Sequence, residues 1–272
     1  MDWLQQVNDF RSTRESNLKR EYGWLSLAGL FWLKEGDNPV GSTADNPVRL
    51  PERAPAKVGI FNLHDGQVSI TKSPTVSMRI NAEPLGDSAA PLKVDTSGEA
   101  DYLFVDGIRM GVIERAGHLA IRVWDPQNPV RRDFPGCVWY EPDATYRVSA
   151  KIEPYPEPRE FMIDDIVGIQ RPVKMHAALA FELAGKQYRL DGDHQEDNSY
   201  DLIFKDLTAG KTTYGAGRYL TTEVAEGDQV VIDFNVAYNP PCAFTEFATC
   251  PLPLPQNILP VAIEAGEKVR KP

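Results

Sequence analysis

The feature that most constrains this chain is a succession of short β-branched and aromatic segments separated by turn dipeptides. Four of these dipeptides lie between apolar runs: Asp65-Gly66, Asp106-Gly107, Ala116-Gly117 and Ala184-Gly185. A residue-glycine pair between two alternating apolar runs is a strong short-range signal of a β-hairpin. The same cadence continues along most of the chain, which predicts about fifteen to eighteen strands.

One stretch shows helical periodicity instead. Within residues 1–20, which contain no Gly or Pro, four apolar side chains fall near one helix face: Leu4, Val7, Phe10 and Leu18. The predicted fold is therefore all-β with one N-terminal α-helix. We expect three segments, the last two sharing a core because no flexible linker separates them: the helix at 1–21, a β-sandwich-like unit at 22–95, and a larger barrel-like or sandwich-like β unit at 96–272.

Composition excludes some classes of partner. A chain of 272 residues buries a sizeable core, and its formal net charge of −10 disfavours nucleic acid and anionic membrane surfaces as partners. No apolar run approaches the roughly 18 residues of a membrane span, and the first residues have no leader-like pattern. Three cysteines are too few for a disulfide scaffold, so we expect a cytoplasmic protein with reduced thiols.

The main candidate site is Asp233–Pro255, DFNVAYNPPCAFTEFATCPLPLP. Its first residues continue a strand, which Pro240 and Pro241 end because proline has no N–H for a sheet. The prolines stiffen the following loop, which then holds polar side chains at low entropic cost. A hairpin over 213–238 would place Arg218 near Asp233 or Asn235. An Arg–Asp pair that only fixes the sheet fits this pattern equally well.

Three motifs carry a resemblance to a known family. TYGAGRYL (213–220), DFNVAYNPPCAFTEFATCPLPLPQN (233–257) and AGEK (265–268) resemble the signature of a bacterial and archaeal domain family of unknown function, number 1684 in its series. GWLSLAGLFWLKEGDNPVGS resembles the opening of the same family, so the resemblance extends over roughly 20–268. It implies no activity. It does imply motif positions, which we take as candidate ligand-binding residues: Arg218, Tyr219, Asp233, Asn235, Tyr238, Asn239, Cys242, Cys250 and Asn257.

Two further features of the sequence lie outside these motifs. Arg122 joins the candidate site residues, with Asp125 nearby as either a site residue or its local ion-pair partner. The N-terminal strands also faintly resemble a forkhead-associated domain. Ser42 stands where that pattern has an arginine, so the likeness implies architecture and not phosphopeptide binding.

Metal and cofactor signals are weak. The four histidines are widely separated, and Cys242 and Cys250 are eight residues apart, which is not tight zinc-ligand spacing. The acidic run at 191–201 offers oxygen ligands for Ca²⁺ but lacks the EF-hand spacing. Neither a G-x-G-x-x-G nor a Walker A motif occurs, while flavin binding leaves no short motif and stays open. The sequence therefore assigns no metal and no cofactor.

The leading hypothesis is a protein that binds a small polar or anionic ligand in a pocket around residues 213–257. Arg218 would face the anion, polar side chains such as Asp233 and Asn239 would orient hydroxyls or amides, and Tyr219 and Tyr238 would form walls. One alternative is a hydrolase with Asp233 as general base or Cys242 as nucleophile. Another is a protein-interaction module. The two cysteines also fit inert buried thiols or a reversible disulfide, and the sequence specifies no oligomeric state.

Overall fold

The structure is a computed structural model that describes residues 2–270. The chain divides into two compact units. Residues 17–134 form one, which we call the sandwich unit, and residues 2–16 with 135–270 form the other, which we call the barrel unit. The predicted all-β class with an N-terminal helix is confirmed. None of the helices in residues 2–270 is long and apolar enough to cross a membrane.

The sandwich unit consists of two β-sheets whose strands are mostly antiparallel. Its strands are β1 (Leu27–Trp32), β2 (Gly36–Gly41), β3 (Val48–Arg49), β4 (Gly59–His64), β5 (Gln67–Lys72), β6 (Arg79–Ile80), β7 (Glu83–Pro84), β8 (Ala90–Leu92), β9 (Tyr102–Val105), β10 (Ile108–Arg115) and β11 (His118–Trp124). One sheet has the order β1-β11-β10-β9-β6-β7 and the other β3-β2-β4-β5-β8. Short helical turns lie at Trp24–Ser26, at Asp95–Ser97 and at α2 (Pro129–Arg132).

The core of the sandwich unit lies between these two sheets. Phe61 and Ile70 from one sheet and Met110 and Ile121 from the other belong to the same buried cluster. The sequence-based boundary between residues 95 and 96 falls inside this unit. The reason is pairing between distant segments: β11 pairs with β1, and β9 pairs with β6, so both sides of that boundary share one sheet.

The four turn dipeptides have the backbone that their sequence requires. Both residues of each pair have positive φ, for example 48° at Asp65 and 75° at Gly66, or 51° at Ala184 and 73° at Gly185. Two consecutive positive φ angles define the type I′ turn, whose twist matches that of the flanking strands. These turns connect β4 to β5, β9 to β10, β10 to β11 and, in the barrel unit, the strand that ends at Leu183 to the strand that begins at Lys186.

The barrel unit is built on one curved sheet. Its strands are β12 (Val138–Trp139), β13 (Arg147–Asp164), β14 (Gln170–Leu183), β15 (Lys186–His194), β16 (Tyr200–Phe204), β17 (Arg218–Thr221), β18 (Gln229–Asp233) and β19 (Glu267–Lys268). Six form a sheet in the order β17-β16-β15-β14-β13-β18, and β12 pairs with β19. Its 3₁₀ turns are Ala144–Tyr146, Phe234–Val236, Pro241–Ala243 and Pro255–Asn257. The unit has its own cluster of buried core residues.

The six-stranded sheet curls until its two edges approach each other. Tyr219 and Tyr238 exchange backbone hydrogen bonds of 2.9 and 2.8 Å, and Glu223 N donates to Val231 O at 3.1 Å. The segment 213–238 therefore returns on itself as predicted, but not as a regular hairpin. β17 pairs with β16 and β18 pairs with β13, so these strands are the opposite edges of the sheet.

Two details of the barrel unit differ from the sequence analysis. The proline-rich stretch Pro154–Pro158, which we expected to be a connector, lies inside β13, where the register with β14 shifts between Pro154 and Arg159. An irregular register tolerates prolines because the ladder there does not use their missing N–H. Helix α1 (Trp3–Leu18) is shorter than the predicted 1–20, and its residues up to Ser16 belong to the barrel unit.

Candidate functional site

Arg218, the predicted anion-binding residue, is buried and bonded to other groups of the protein. Its side chain is 1 % exposed. One terminal nitrogen donates to Ala265 O, and the other donates to Ile263 O at 3.0 Å and Asp206 Oδ1 at 3.4 Å. Burial lowers the pKa of Arg218, and the neighbouring Asp206 carboxylate opposes that shift. The partner of Arg218 is thus Asp206, and not Asp233 or Asn235 as the sequence suggested.

Asp233 and Asn235 form a second saturated group. Asp233 Oδ2 accepts a 2.6 Å hydrogen bond from Trp3 Nε1, while Oδ1 accepts from the backbone and side-chain nitrogens of Asn235 at 2.9 and 2.8 Å. Asn235 also exchanges hydrogen bonds with the backbone of Asp143. Both carboxylate oxygens of Asp233 already have donors, so this arrangement favours a structural role over that of a general base.

Tyr238 and Asn239 hold helix α1 against the C-terminal AGEK motif. Arg14 donates to Asn239 O at 2.7 Å, lies over the Tyr238 ring at 4.7 Å and approaches Glu267 Oε2 at 3.7 Å. Asn239 N donates to the same Glu267 oxygen at 3.0 Å. Burial raises the pKa of Glu267, and the Arg14 charge opposes that shift. Gly266 of the motif has φ +81°, and a Cβ there would lie 2.5 Å from Ala237 O.

Asn257 closes a gap in the sheet. It accepts from Asp191 N at 2.8 Å and donates to Asp191 O at 2.9 Å and Ile203 O at 3.0 Å. β15 and β16 pair only at residues 193–194 and 200–201. Continuing that register would set 191 opposite 203, so the Asn257 amide replaces the missing ladder bonds. The Asp191 carboxylate, part of the predicted acidic run, accepts from Tyr155 and Gln256.

Cys242 and Cys250 lie side by side. Cys242 N donates to Cys250 Sγ at 3.2 Å, and the two thiols are hydrogen-bonded to each other. Tyr214 OH donates to Cys242 O at 3.0 Å, and Tyr219 OH donates to Pro251 O at 2.9 Å. Burial raises the pKa of both tyrosines. Cys242 is half-buried and Cys250 is buried.

Arg122, the remaining predicted site residue, lies on β11 of the sandwich unit. It is buried, with its guanidinium 5.6 Å from the centre of the Trp24 ring. Asp125, the predicted local partner of Arg122, forms an ion pair with Arg53 at 2.6 Å. Arg122 therefore belongs to a different unit from the other candidate residues.

The barrel unit contains a small cavity that the sequence analysis did not identify. Its volume is about 210 Å³, and it lies between the far half of the β13–β14 hairpin, the strands β15 and β16, and the segment before Asn257. Most of its wall is apolar: Ile163, Val173, Met175, Ile203, Leu252 and Leu254. Arg171, Asp193, Asp201 and Asn257 complete the lining.

Arg171 differs from the other arginines of the barrel unit. It lies on β14 opposite Ile163 of β13 and is half-buried. Its Nε is buried, and its side chain makes no hydrogen bond or ion pair to residues 2–270. Arg11, Arg14 and Arg218 also have a buried Nε, but they donate through their terminal nitrogens to backbone carbonyls. A cation in an apolar cavity without a protein acceptor is suited to hold an anion.

The two acids of the cavity are directly opposite each other. Asp193 on β15 pairs with Asp201 on β16 in the antiparallel register. Asp193 Oδ1 lies 3.3 Å from His176 Nδ1, and Asp201 Oδ1 accepts from Thr221 Oγ1 at 2.6 Å. Each keeps a second carboxylate oxygen without a hydrogen-bond donor among the described side chains. They therefore offer acceptors for hydroxyl or ammonium groups.

A signal for this cavity was present in the sequence. Arg171, Val173, Met175 and Ala177 share one face of β14 because alternate residues of a strand point the same way. A cation on an otherwise apolar strand face indicates either an internal ion pair or a binding site. The opposing residues on β15, β16 and 252–257 are distant in sequence, so only the fold brings them together.

Comparison with known proteins adds a family but no activity. A solution NMR structure of an uncharacterised protein from Haloarcula marismortui, gene locus rrnAC0354, is 33 % identical, with a TM-score of 0.43, and the match covers 53 % of this chain and 82 % of that one. No curated protein matches. The family model described as "Protein of unknown function (DUF1684)" matches residues 132–268, so the matched region is narrower than the 20–268 of the sequence analysis. The chain belongs to this family.

Proposed function

We propose that this member of a family of unknown function binds a small organic anion in the Arg171 cavity. The observation that carries the proposal is the unpartnered Arg171 guanidinium, half-buried beside an apolar wall. This keeps the hypothesis of anion binding from the sequence analysis but moves the anion from Arg218 to Arg171. The terminal nitrogens of Arg218 already donate to Asp206, Ile263 and Ala265.

An anionic ligand relieves the electrostatic cost of the site. A partly desolvated cation without a hydrogen-bond acceptor is unfavourable, and the cost is removed when a carboxylate accepts its N–H groups. Hydrogen bonds to charged groups contribute about 1.5 to 3 kcal/mol each. Because Arg171 makes no such bond within residues 2–270, a ligand would gain most of this energy without displacing a protein partner.

The rest of the lining narrows the ligand class. Ile163, Met175 and Leu254 belong to one small apolar cluster and would contact an aliphatic body. Asp193 and Asp201 would repel a second anionic group but accept hydrogen bonds from a hydroxyl or ammonium group. A volume of about 210 Å³ equals roughly seven water molecules of the liquid. These features together favour an aliphatic hydroxy or amino carboxylic acid of about the size of leucine.

The test is calorimetric titration of the purified chain with leucine and with 2-hydroxy-4-methylpentanoate, each compared with leucinamide, which lacks the carboxylate. We expect the two carboxylates to bind and the amide not to bind. Replacing Arg171→Gln should weaken carboxylate binding about 10- to 100-fold because the charge-assisted hydrogen bonds are lost.

Lys174→Gln is the matched control. Lys174 lies on the same strand but is exposed, and its side chain points to the opposite face. This variant makes the same change in net charge and should bind the carboxylates like the wild type. Equal affinity in the Arg171→Gln and wild-type chains would overturn the proposal, as would binding of leucinamide as tight as that of leucine.

A further inference from the structure

We infer that Cys242 and Cys250 form a peroxide-reactive dithiol, in which Cys242 is oxidised first and Cys250 then closes a disulfide. Nothing in the Arg171 cavity is required for this chemistry, so the inference is independent of the ligand proposed above. It resolves the choice between inert thiols and a reversible disulfide that the sequence left open.

Such a site needs one cysteine that the oxidant attacks and a second cysteine beside it, and the geometry provides both. Cys242 is half-buried and Cys250 is only 5 % exposed, so Cys242 is the more accessible of the two. Cys250 Sγ lies 3.2 Å from Cys242 N, which places it next to the Cys242 side chain. Both cysteines are tied to firm positions: Cys242 O accepts from Tyr214, and Cys250 O accepts from Ile166 N at 2.8 Å. The two residues are therefore held side by side before any oxidation.

Hydrogen bonding makes Cys242 the nucleophile of the pair. The neighbouring Cys250 thiol lowers the pKa of Cys242 to about 7, and the Tyr214 hydroxyl acts in the same direction, against the effect of burial. The same thiol–thiol hydrogen bond and burial raise the pKa of Cys250. Only a thiolate reacts rapidly with peroxide, and a thiol with a pKa near neutral is substantially ionised under ordinary conditions.

The reaction with a hydroperoxide balances without any other co-reactant. The Cys242 thiolate attacks the peroxide oxygen, the O–O bond breaks, and the leaving alkoxide or hydroxide takes up the proton that Cys242 released. Cys242 is then a sulfenic acid. Cys250 sulfur displaces hydroxide from it to form the S–S bond, and the Cys250 proton leaves with that hydroxide as water. Two thiols lose two electrons, and the peroxide is reduced to an alcohol or water.

Cys137 provides an internal comparison. It is also half-buried, but its environment opposes ionisation. Burial and the nearby Glu267 carboxylate raise the pKa of Cys137, so its thiolate is scarce at neutral pH. Cys137 should therefore react far more slowly with peroxide or with an alkylating reagent.

The experiment is intact mass spectrometry of the reduced chain after treatment with one equivalent of hydrogen peroxide. We expect the loss of two hydrogen atoms, restored by dithiothreitol, with peptide mapping that links Cys242 to Cys250. The Cys250→Ser variant should stop at a sulfenic acid on Cys242, which dimedone captures. Cys137→Ser should behave like the wild type, and Cys242→Ser should form no disulfide.

A second measurement needs no substitution at the buried Cys250, so it does not depend on whether a Cys250 variant folds. The rate of Cys242 alkylation by iodoacetamide, followed against pH, should rise through about pH 7 in the wild type. Tyr214→Phe removes a hydroxyl that helps to lower the pKa of Cys242, and should lower the rate near neutral pH about three- to ten-fold by moving the profile to higher pH.

Three outcomes would overturn the inference. One is a wild-type chain whose mass does not change with peroxide. Another is oxidation that begins at Cys137, and the third is a Cys242 alkylation rate that rises only above pH 8.5, the region of an ordinary cysteine.

Discussion

Arg218 and Arg171 are both arginines on strands of the barrel unit, and their surroundings are opposite. Arg218 is fully buried, and its terminal nitrogens contact a carboxylate and two backbone carbonyls. Arg171 is half-buried in a cavity wall, and its side chain has no acceptor among residues 2–270. The family's motif contains the first arginine and not the second. A prominent polar motif can therefore serve the fold, while a less prominent residue lines a cavity.

The irregular C-terminal segment explains why so many polar motif residues are structural. Between Phe234 and Val269 the chain forms only short 3₁₀ turns and the two-residue β19. Its buried backbone groups cannot all pair within a sheet, yet each must find a partner. Side chains supply those partners: Arg218 for the carbonyls at 263 and 265, Asn257 for the gap between β15 and β16, and Asn239 for Lys268 O.

The comparison is tested most strongly by removing each positive charge. Arg218→Met should lower the free energy of unfolding by about 3 to 5 kcal/mol, because it leaves the buried Asp206 carboxylate without its ion-pair partner. Arg171→Met should change it by less than about 1 kcal/mol, since no protein hydrogen bond is lost. Urea denaturation of both variants measures the two values. Equal losses would show that Arg171 also serves the fold.

A smaller effect is expected at Asn257. Asn257→Ala should lower the free energy of unfolding by about 2 to 4 kcal/mol, because Asp191 N, Asp191 O and Ile203 O lose their hydrogen-bond partner in a buried position. Asn257→Asp keeps an acceptor for Asp191 N but loses both donors, so it should not restore stability. An Asn257→Ala chain with wild-type stability in urea denaturation would contradict the role of Asn257 in joining β15 to β16.

The smallest expected change in the free energy of unfolding is at Glu267, and this change depends on pH. Burial raises the folded-state pKa of Glu267, so near that pKa the folded chain holds a proton that the unfolded chain has released. Stability then falls as pH rises from the ordinary glutamate range through the raised pKa. The Glu267→Gln variant lacks this loss. Its free energy of unfolding should therefore rise by about 1 kcal/mol relative to that of the wild type between acidic and neutral pH.

The control for Glu267 is Glu264→Gln, three residues earlier and exposed. Its stability should follow the wild type across the same pH series. A Glu267→Gln variant that loses stability relative to the wild type as pH rises would mean that the pairing with Arg14 outweighs burial of the carboxylate.

Much of the fold was predictable from local sequence. The pairs Asp65-Gly66 and Ala184-Gly185 have the positive φ angles that a type I′ turn requires, and the hairpins follow from them. Helix α1 was also predicted, because its apolar spacing and lack of Gly and Pro are local properties. The proline stretch in β13 was not, because a register shift depends on the neighbouring strand as well as on the prolines.

The candidate site was less predictable. Cys242 and Cys250 were recognised from the sequence, and an eight-residue separation allows them to meet in a compact loop. The partner of Arg218 was predicted wrongly, because the expected hairpin over 213–238 suggested Asp233 or Asn235, whereas Arg218 pairs with Asp206. The Arg171 cavity was missed because its walls come from segments that are distant in sequence.

The sequence by itself determined the β class, the positions of the tight turns and the N-terminal helix. Each of these depends on the conformational preferences and periodicity of adjacent residues. The tertiary structure alone decided which polar side chains are saturated and which one remains available. That outcome depends on how the fold brings together segments far apart in the chain, such as those that place Arg171 and Asn257 in the lining of one cavity, and on how burial removes water from each group.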